Sequence, residues 1–340
     1  MKKLLTFVSA ITAGAIGTAS ADVSVSGSSN FFYASGSGDA NSATQEDTMS
    51  VVGGTLAFAM STETTNGITV SGSATVSAVT TDTTTGAEAG PVNGGLSQIS
   101  FGMDGMTVTL GDINNAGSGT GEGGDVTSFA SVNAARLTTA SAAAANDSSM
   151  DGIADGTGIN VSTSMGAASV DLTFVSKVGS GRNSLATTAK TTGYNSGYAV
   201  NVGFDVSGIA VNVAMGGSQA QVAGVENDTA TALEISYPVS DALSVSVGAS
   251  DGTRAGGEED NMFVTAAYTM DADTTLSLGY AKGDNTTASV LDKASVSSVN
   301  ITRSLGGGVS VFAEYAAVDN DNAAVATSGT SLAVGTVVSF

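Results

Sequence analysis

The sequence contains no cysteine, no histidine and no tryptophan, and only 2 prolines in 340 residues. Without Cys or His, most metal-ligand sets and the usual nucleophile–base pairs of enzymes are missing. The absence of Cys also excludes the disulfide framework that holds small secreted scaffolds together. Basic side chains are scarce, with 10 Lys and Arg against 31 Asp and Glu and a formal net charge of −21. Such a surface repels a phosphate backbone, so nucleic acid is not a partner. Long apolar runs are lacking as well. Beyond residue 21 none approaches the ~18 residues of a spanning helix, so a membrane location would require a closed barrel. Disorder does not fit either, because 41% of the residues are apolar and they recur in alternating, strand-like runs.

What is present begins with Met1-Lys2-Lys3, an apolar run over Leu4–Ile16, and the small-residue site Ala19-Ser20-Ala21 before Asp22. This pattern predicts a secretory signal peptide over 1–21, cut after Ala21. The apolar run is too short for a membrane anchor, and no Cys follows the site to accept a lipid. Loss of Lys2 and Lys3 would take the charge from −21 to −23.

From Asp22 onward the apolar residues alternate with small polar ones. Val23, Val25, Phe31 and Tyr33 share one parity, as do Leu56, Phe58 and Met60, and the period of two assigns strands. Asn66-Gly67, Asp104-Gly105 and Ser207-Gly208 mark tight hairpins. Gly166, Pro238 to Asp241, Asp271 to Asp273 and Gly306 to Gly308 mark further short turns. Between them lie longer polar stretches: Ser35 to Asp47, Thr80 to Gly94, a segment holding Lys177, Arg182 and Lys190, Gly216 to Ala230, Asp251 to Asp260, Gly283 to Lys293, and Val318 to Thr327. The reading is an all-β, 16-stranded antiparallel transmembrane barrel over 22–340, with short turns and longer loops in strict alternation.

The longest irregular stretch, about 112–157, follows the fifth strand. It holds a glycine-rich patch at Gly117 to Asp125, a segment with helical-turn character at Thr127 to Ala145, and the acids Asp147, Asp151 and Asp155. A loop of this length in a compact domain is functional or disordered. Within the strands, Asp171, Lys177, Asp205, Glu234 and Glu314 fall on the parity opposite the Val, Leu, Phe and Tyr set. The apolar face is therefore expected to carry no mid-strand charge, as lipid contact requires. Arg303 is the exception; beside the turn at Gly306 it can snorkel to the interface. The last stretch, Ser331 to Phe340, alternates to its final aromatic and is expected to close the cylinder against the first strand.

The run Asp22-Val-Ser-Val-Ser-Gly, the segment from Phe101 to Gly111 before the longest loop, and the closing Phe340 together resemble Gram-negative general diffusion porins, in particular the 16-stranded trimeric kind of alphaproteobacteria. The resemblance implies a passive, water-filled pore for small hydrophilic solutes, exported to the outer membrane. It also implies a homotrimer that contacts outer-membrane lipid and lipopolysaccharide and is inserted by the barrel assembly machinery. In that family the loop after strand 5 folds inward and narrows the pore, its acids facing basic side chains across the channel. The corresponding residues are Glu122, Asp125, Arg136, Asp147, Asp151 and Asp155, with Asp171, Lys177, Asp205, Glu234 and Glu314 on the wall. The basic side of that arrangement is thin here, which predicts a carboxylate-dominated constriction and cation preference.

No cofactor or resident metal is implied. Acids in the outer loops, such as Glu258-Glu259-Asp260, offer oxygen ligands for loose calcium binding. Gly119-x-Gly121-x-x-Gly124 matches a dinucleotide fingerprint by letter only, since no helix or second parallel strand completes the unit. Scattered acids without an aromatic sugar platform do not make an enzyme. The competing reading is a secreted structural β-protein, a surface-layer protein or adhesin. A soluble sandwich would also alternate, but it has no reason to keep every second connection short.

Overall fold

Alternation and turn chemistry yield one continuous ladder. In the computed structural model the described residues are 22–38, 48–77, 81–82, 93–114, 116–121, 149–150, 153–178, 194–220, 227–254, 257–287, 290–321 and 326–340. They form sixteen strands. The first eight are β1 (Asp22–Gly38), β2 (Thr48–Glu63), β3 (Thr69–Ser77), β4 (Asn93–Met103), β5 (Met106–Ile113), β6 (Gly156–Met165), β7 (Ala168–Val178) and β8 (Tyr194–Val206). The second eight are β9 (Ile209–Ala220), β10 (Asp228–Pro238), β11 (Leu243–Arg254), β12 (Gly257–Asp271), β13 (Thr274–Thr287), β14 (Val290–Gly306), β15 (Val309–Asp321) and β16 (Ala326–Ser339). Thr81–Asp82 adds a short rung against Val51 and Ser50, extending the β2–β3 hairpin.

Each strand pairs antiparallel with its neighbour in sequence, and β1 pairs with β16 as well as with β2. The sheet is closed, which leaves no edge to template further pairing. The last rung is made by Phe340: the Gly27 N–H donates to its carbonyl at 2.9 Å, and its own N–H donates to the Gly27 carbonyl at 3.0 Å. Tight turns join β4 to β5 and β8 to β9. In both, Asp104-Gly105 and Ser207-Gly208, the central residues have positive φ, the type I′ geometry that matches strand twist.

One face of the wall is apolar and open to the surroundings. Its outward side chains on β12 run from Met262 through Val264 and Tyr268 to Met270, and on β13 from Leu276 to Tyr280. The β12 stretch covers about 27 Å of strand at ~3.4 Å per residue, or roughly 20 Å of height once strand tilt is included, close to the apolar band of an outer-membrane barrel. Phe340 stands on the same side at the tight-turn end, 72% exposed.

Three expectations change. The stretches Asp251 to Asp260 and Gly283 to Lys293 are largely strand rather than loop: Arg254 pairs with Gly257, and Thr287 with Val290. The strict alternation of short turns and long loops fails here, because these hairpins continue as a tall rim above the band. Above the band both faces meet water, so the hydrophobic period disappears while the backbone ladder persists. Consequently the outward parity does carry charge, at Asp251, Asp260, Lys282 and Asp284, but on the rim and not in the band. Arg303 is outward as expected and is held by local partners at the tight-turn end. Its guanidinium donates to Thr274 Oγ1 at 3.0 Å and lies 3.5 Å from the Asp271 carboxylate. The Asp273 N–H first, then the Thr274 hydroxyl, and after them the Arg303 charge and the Thr274 N–H hold the Asp271 carboxyl below its ordinary pKa. The segment 127–145 lies outside the described residues, as does 1–21.

Candidate functional site: an inward-folded loop against a carboxylate-bearing wall

The second face of the wall is built of small residues where it meets the chain that leaves β5. Ala116, Met150, Ile153 and Ala154 from the stretch between β5 and β6 are buried against Val175 of β7, Ala199 of β8, Ala214 of β9, and Ala230 and Ala232 of β10. All five wall residues have the parity opposite to the exposed apolar set, whose neighbours on these strands are Phe174, Tyr198, Met215 and Leu233. The described ends of this stretch therefore lie inside the cylinder. Burying side chains such as Met150 and Ile153 contributes about 1.5–3 kcal/mol each.

Polar contacts hold both ends of the loop. The Ala116 N–H donates to Thr173 Oγ1 on β7 at 2.9 Å, and Asn160 Nδ2 of β6 donates to the same oxygen at 3.1 Å. At the other end the Ser149 N–H donates to Ser250 Oγ of β11 at 2.9 Å, and Ser149 Oγ donates to the Glu259 carbonyl of β12 at 2.9 Å. The loop stem thus crosses the inner wall from β7 to β12. Two glycines make the fit. Gly121 has φ +72°, and a Cβ there would stand 2.6 Å from the Ala249 carbonyl oxygen; a Cβ on Gly216 of β9 would meet Ile153 Cγ2 at 2.8 Å.

One step nearer the tight turns, directly below this trough, the inner wall turns polar. Asp171 of β7 is opposite Asn201 of β8, and Asn212 of β9 is opposite Glu234 of β10. Asp205 is on the same face nearer the turn, where its Oδ1 accepts the Gly208 N–H at 3.0 Å and so helps to shape that turn. Across the barrel, Glu314 of β15 is only 1% exposed and accepts from Asn300 Nδ2 at 3.2 Å. It is on the inner face, and its carboxylate is covered. Lys177 pairs with Thr157 in the β6–β7 ladder, and its side chain lies outside the described residues. Asp155 sits half-buried just before β6. Glu122, Asp125, Arg136, Asp147 and Asp151 lie outside the described residues.

Among the described side chains, the strand acids on the inner face have no basic counterpart on that face: Lys282, Lys293 and Arg303 share the outward parity of Tyr280, Val299 and Ile301. No cluster of three or more Asp or Glu among the described residues is arranged to hold a metal ion. Sequence reasoning missed the trough. Its signal was an inward Ala or Gly at matching heights on successive strands, which reads as filler unless the loop is known to lie there.

A closed antiparallel barrel with an outward apolar band, tight turns at one end and an inward-folded loop after β5 defines a pore-forming outer-membrane protein. The family model "Gram-negative porin" matches residues 6–323, and the chain belongs to that family. None of the curated proteins matches it. Among solved structures it is similar to the anion-selective porin from Comamonas acidovorans, with 15% identity, TM-score 0.66, and coverage of 94% of this chain and 100% of that one. It is also similar to the outer membrane channel DcaP of Acinetobacter baumannii, with 11% identity, TM-score 0.65, and coverage of 94% and 97%. A mutant of Rh. blastica porin has 15% identity, TM-score 0.60, and coverage of 94% and 100%. At these identities the likeness is one of fold.

Proposed function

We propose that this porin is a passive channel for small hydrophilic solutes with a preference for cations, working as a homotrimer after removal of residues 1–21. The observation that carries the cation preference is the one-signed inner wall: Asp171 and Glu234 stand below the loop stem, while the described basic side chains project outward. Carboxylates lining a narrow aqueous path lower the energy of a cation and raise that of an anion, and low-dielectric walls strengthen the effect. The scarcity of Lys and Arg over the whole chain, 10 against 31 acids, supports the same sign. The Comamonas porin is named for anion selectivity, so a shared fold does not fix the sign of the selectivity; the wall charges do.

The test is a planar bilayer experiment on detergent-folded protein, reading conductance steps and the reversal potential in a potassium chloride gradient. Triplet steps with a cation-selective reversal potential are expected. Anion selectivity would refute the charge assignment while leaving the channel intact. Absence of steps from protein shown to be folded would refute the channel, and release from cells by chelator or high salt would then favour the surface-layer alternative.

A further inference from the structure

On the tight-turn side of the loop stem, the inner face of β1 to β6 carries one unbroken cross-strand row of polar side chains. From Asp22 on β1 it runs through Ser61 on β2, Ser71 on β3, Ser100 on β4 and Thr109 on β5 to Asn160 on β6, each directly opposite the next. Past Asp22 the row carries no charge. It faces the lumen, because its neighbours Val23, Met60, Ile99 and Leu110 are exposed on the other side of the wall. Small side chains leave a concavity of about 400 Å³ there, which also takes in Ser24, Ser73 and Gln98. The Ser100 and Thr109 hydroxyls bind each other at 2.8 Å. Ser61, Ser71 and Ser73 make no hydrogen bond within the described residues, so each hydroxyl offers a donor and acceptor sites to the lumen. β2, β3 and β4 are eight, seven and six strands away from β10 in a cylinder of sixteen, so this surface stands across the pore from Glu234. The heights agree as well: Glu234, Ser61, Ser71, Ser73 and Ser100 all lie within four residues of the tight-turn ends of their strands.

We infer that the organic solute favoured by this pore is a small polyhydroxylated amine, its ammonium drawn toward Glu234 and its hydroxyls toward β2 to β4. The inference rests on the cation-preferring channel reading above. The acid wall stabilises the ammonium. The hydroxyl wall suits any solute dense in both donors and acceptors, since a serine hydroxyl turns to serve either. A neutral sugar gains from the second wall alone, and an amine without hydroxyls from the first alone. A polyhydroxylated acid meets Glu234 with the wrong sign. Each hydroxyl exchanges a bond to water for a bond to solute at small net gain. The solute is therefore oriented without being held, as permeation requires.

The experiment measures the permeability of two organic cations in planar bilayers, from bi-ionic reversal potentials at slightly acidic pH, where both amines are charged. The probes are glucosammonium and cyclohexylammonium, which share ring size and a single ammonium. Glucosammonium is the larger, so sieving by size alone favours cyclohexylammonium. Glucosammonium is instead expected to be about fivefold more permeant, the scale of one net hydrogen bond. The triple variant S61A/S71A/S73A removes hydroxyls at lumen-facing positions and touches no backbone ladder bond, so the barrel stays folded. It is expected to bring the ratio below about twofold without moving the reversal potential in potassium chloride. Glu234→Gln loosens the ammonium from its wall and is expected to lower the ratio as well. Equal permeability of the two amines would overturn the proposal, as would a preference for glucosammonium that survives the triple substitution. A ratio untouched by Glu234→Gln would overturn the orientation across the pore. An anion-selective reversal potential in potassium chloride alone would refute the reading on which the inference rests, whereas a cation-selective pore that passes both amines alike would refute this inference only.

Discussion

Gly117→Ala tests whether the loop stem is held by fit to the wall. Gly117 has φ +79°, and a Cβ at that position would fall onto the Ala214 side chain of β9, with Asn201 Cβ at 3.3 Å and Thr120 Oγ1 at 3.4 Å. Two costs add. Alanine in the left-handed region costs about 1–2 kcal/mol, and forcing an extra methyl into a filled site costs about 1–3 kcal/mol. The docked stem would lose about 3 kcal/mol, or roughly a hundredfold in its docking equilibrium. The barrel itself would not notice, because its ladder runs through other residues. The assay is limited proteolysis of detergent-folded protein, where cleavage follows the open population when opening and closing are fast. Cleavage in the stretch after Gly117 is expected to accelerate by up to about a hundredfold, with unchanged heat-modifiability and noisier open-channel current.

Ala214→Gly added to Gly117→Ala separates the two costs. It removes the atom with which the new methyl collides but leaves the backbone strain, so roughly a tenfold effect should remain. Cleavage of Gly117→Ala at the wild-type rate would refute the docking of the stem against β9. An acceleration that Ala214→Gly leaves untouched would refute the steric argument and leave only the backbone term.

Ser149→Ala removes the bond to the Glu259 carbonyl from a side chain that is 3% exposed; about 1 kcal/mol is expected, read as faster cleavage near residue 149 with no change in strand protection by hydrogen exchange. Glu234→Lys places a cation opposite Asn212 on the inner wall and is expected to move the reversal potential toward anions at ~0.1 M salt. The shift should shrink at ~1 M, where screening is about 3 Å; a shift independent of salt would contradict an electrostatic filter. On the rim, the hydrogen bond with Asp251, then burial and the charges of Asp251, Glu258 and Asp284, hold Asp260 above its ordinary pKa, with Lys282 and Lys293 as the nearby cations. The folded state therefore binds this proton more tightly than the unfolded chain, so its contribution to stability is present at low pH and is lost as pH rises through the folded value; Asp260→Asn should flatten that slope in thermal unfolding. Asp271, held low at the turn, gives the opposite sign, a contribution present at neutral pH and lost on acidification.

The sequence carries its own structure wherever two different environments meet across the wall. Val23, Leu56, Val211 and Leu278 alternate with small polar residues because lipid lies on one side and water on the other, and Asn66-Gly67 and Ser207-Gly208 announce their turns by the φ they require. The rim was illegible for the converse reason. Around Asp251 and Asp260 water lies on both sides, the period vanishes, and a paired strand looks like an acidic loop. The trough was illegible for a third reason. Ala199, Ala214 and Ala230 are informative only through what they touch, and Ser149 is 101 residues from its partner Ser250. Local pattern does not reach across that separation.

The wall is also uneven in height. β5 has eight residues, whereas β12 and β14 have fifteen and seventeen. The chain leaves β5 at Ile113, and the stem docks on β7 to β10 with polar contacts to β11 and β12, where the inner face above the polar row offers Ala, Gly and Ser. The described parts of the stem, 116–121, 149–150 and 153–154, contribute no charged side chain there. Among the described residues packing and charge are therefore separated by one step along each strand: neutral small residues seat the stem, and Asp171 and Glu234 lie immediately below. Because the two sets use different side chains, substitutions that reverse the wall's charge, such as Glu234→Lys, are expected to leave in place the residues that seat the stem.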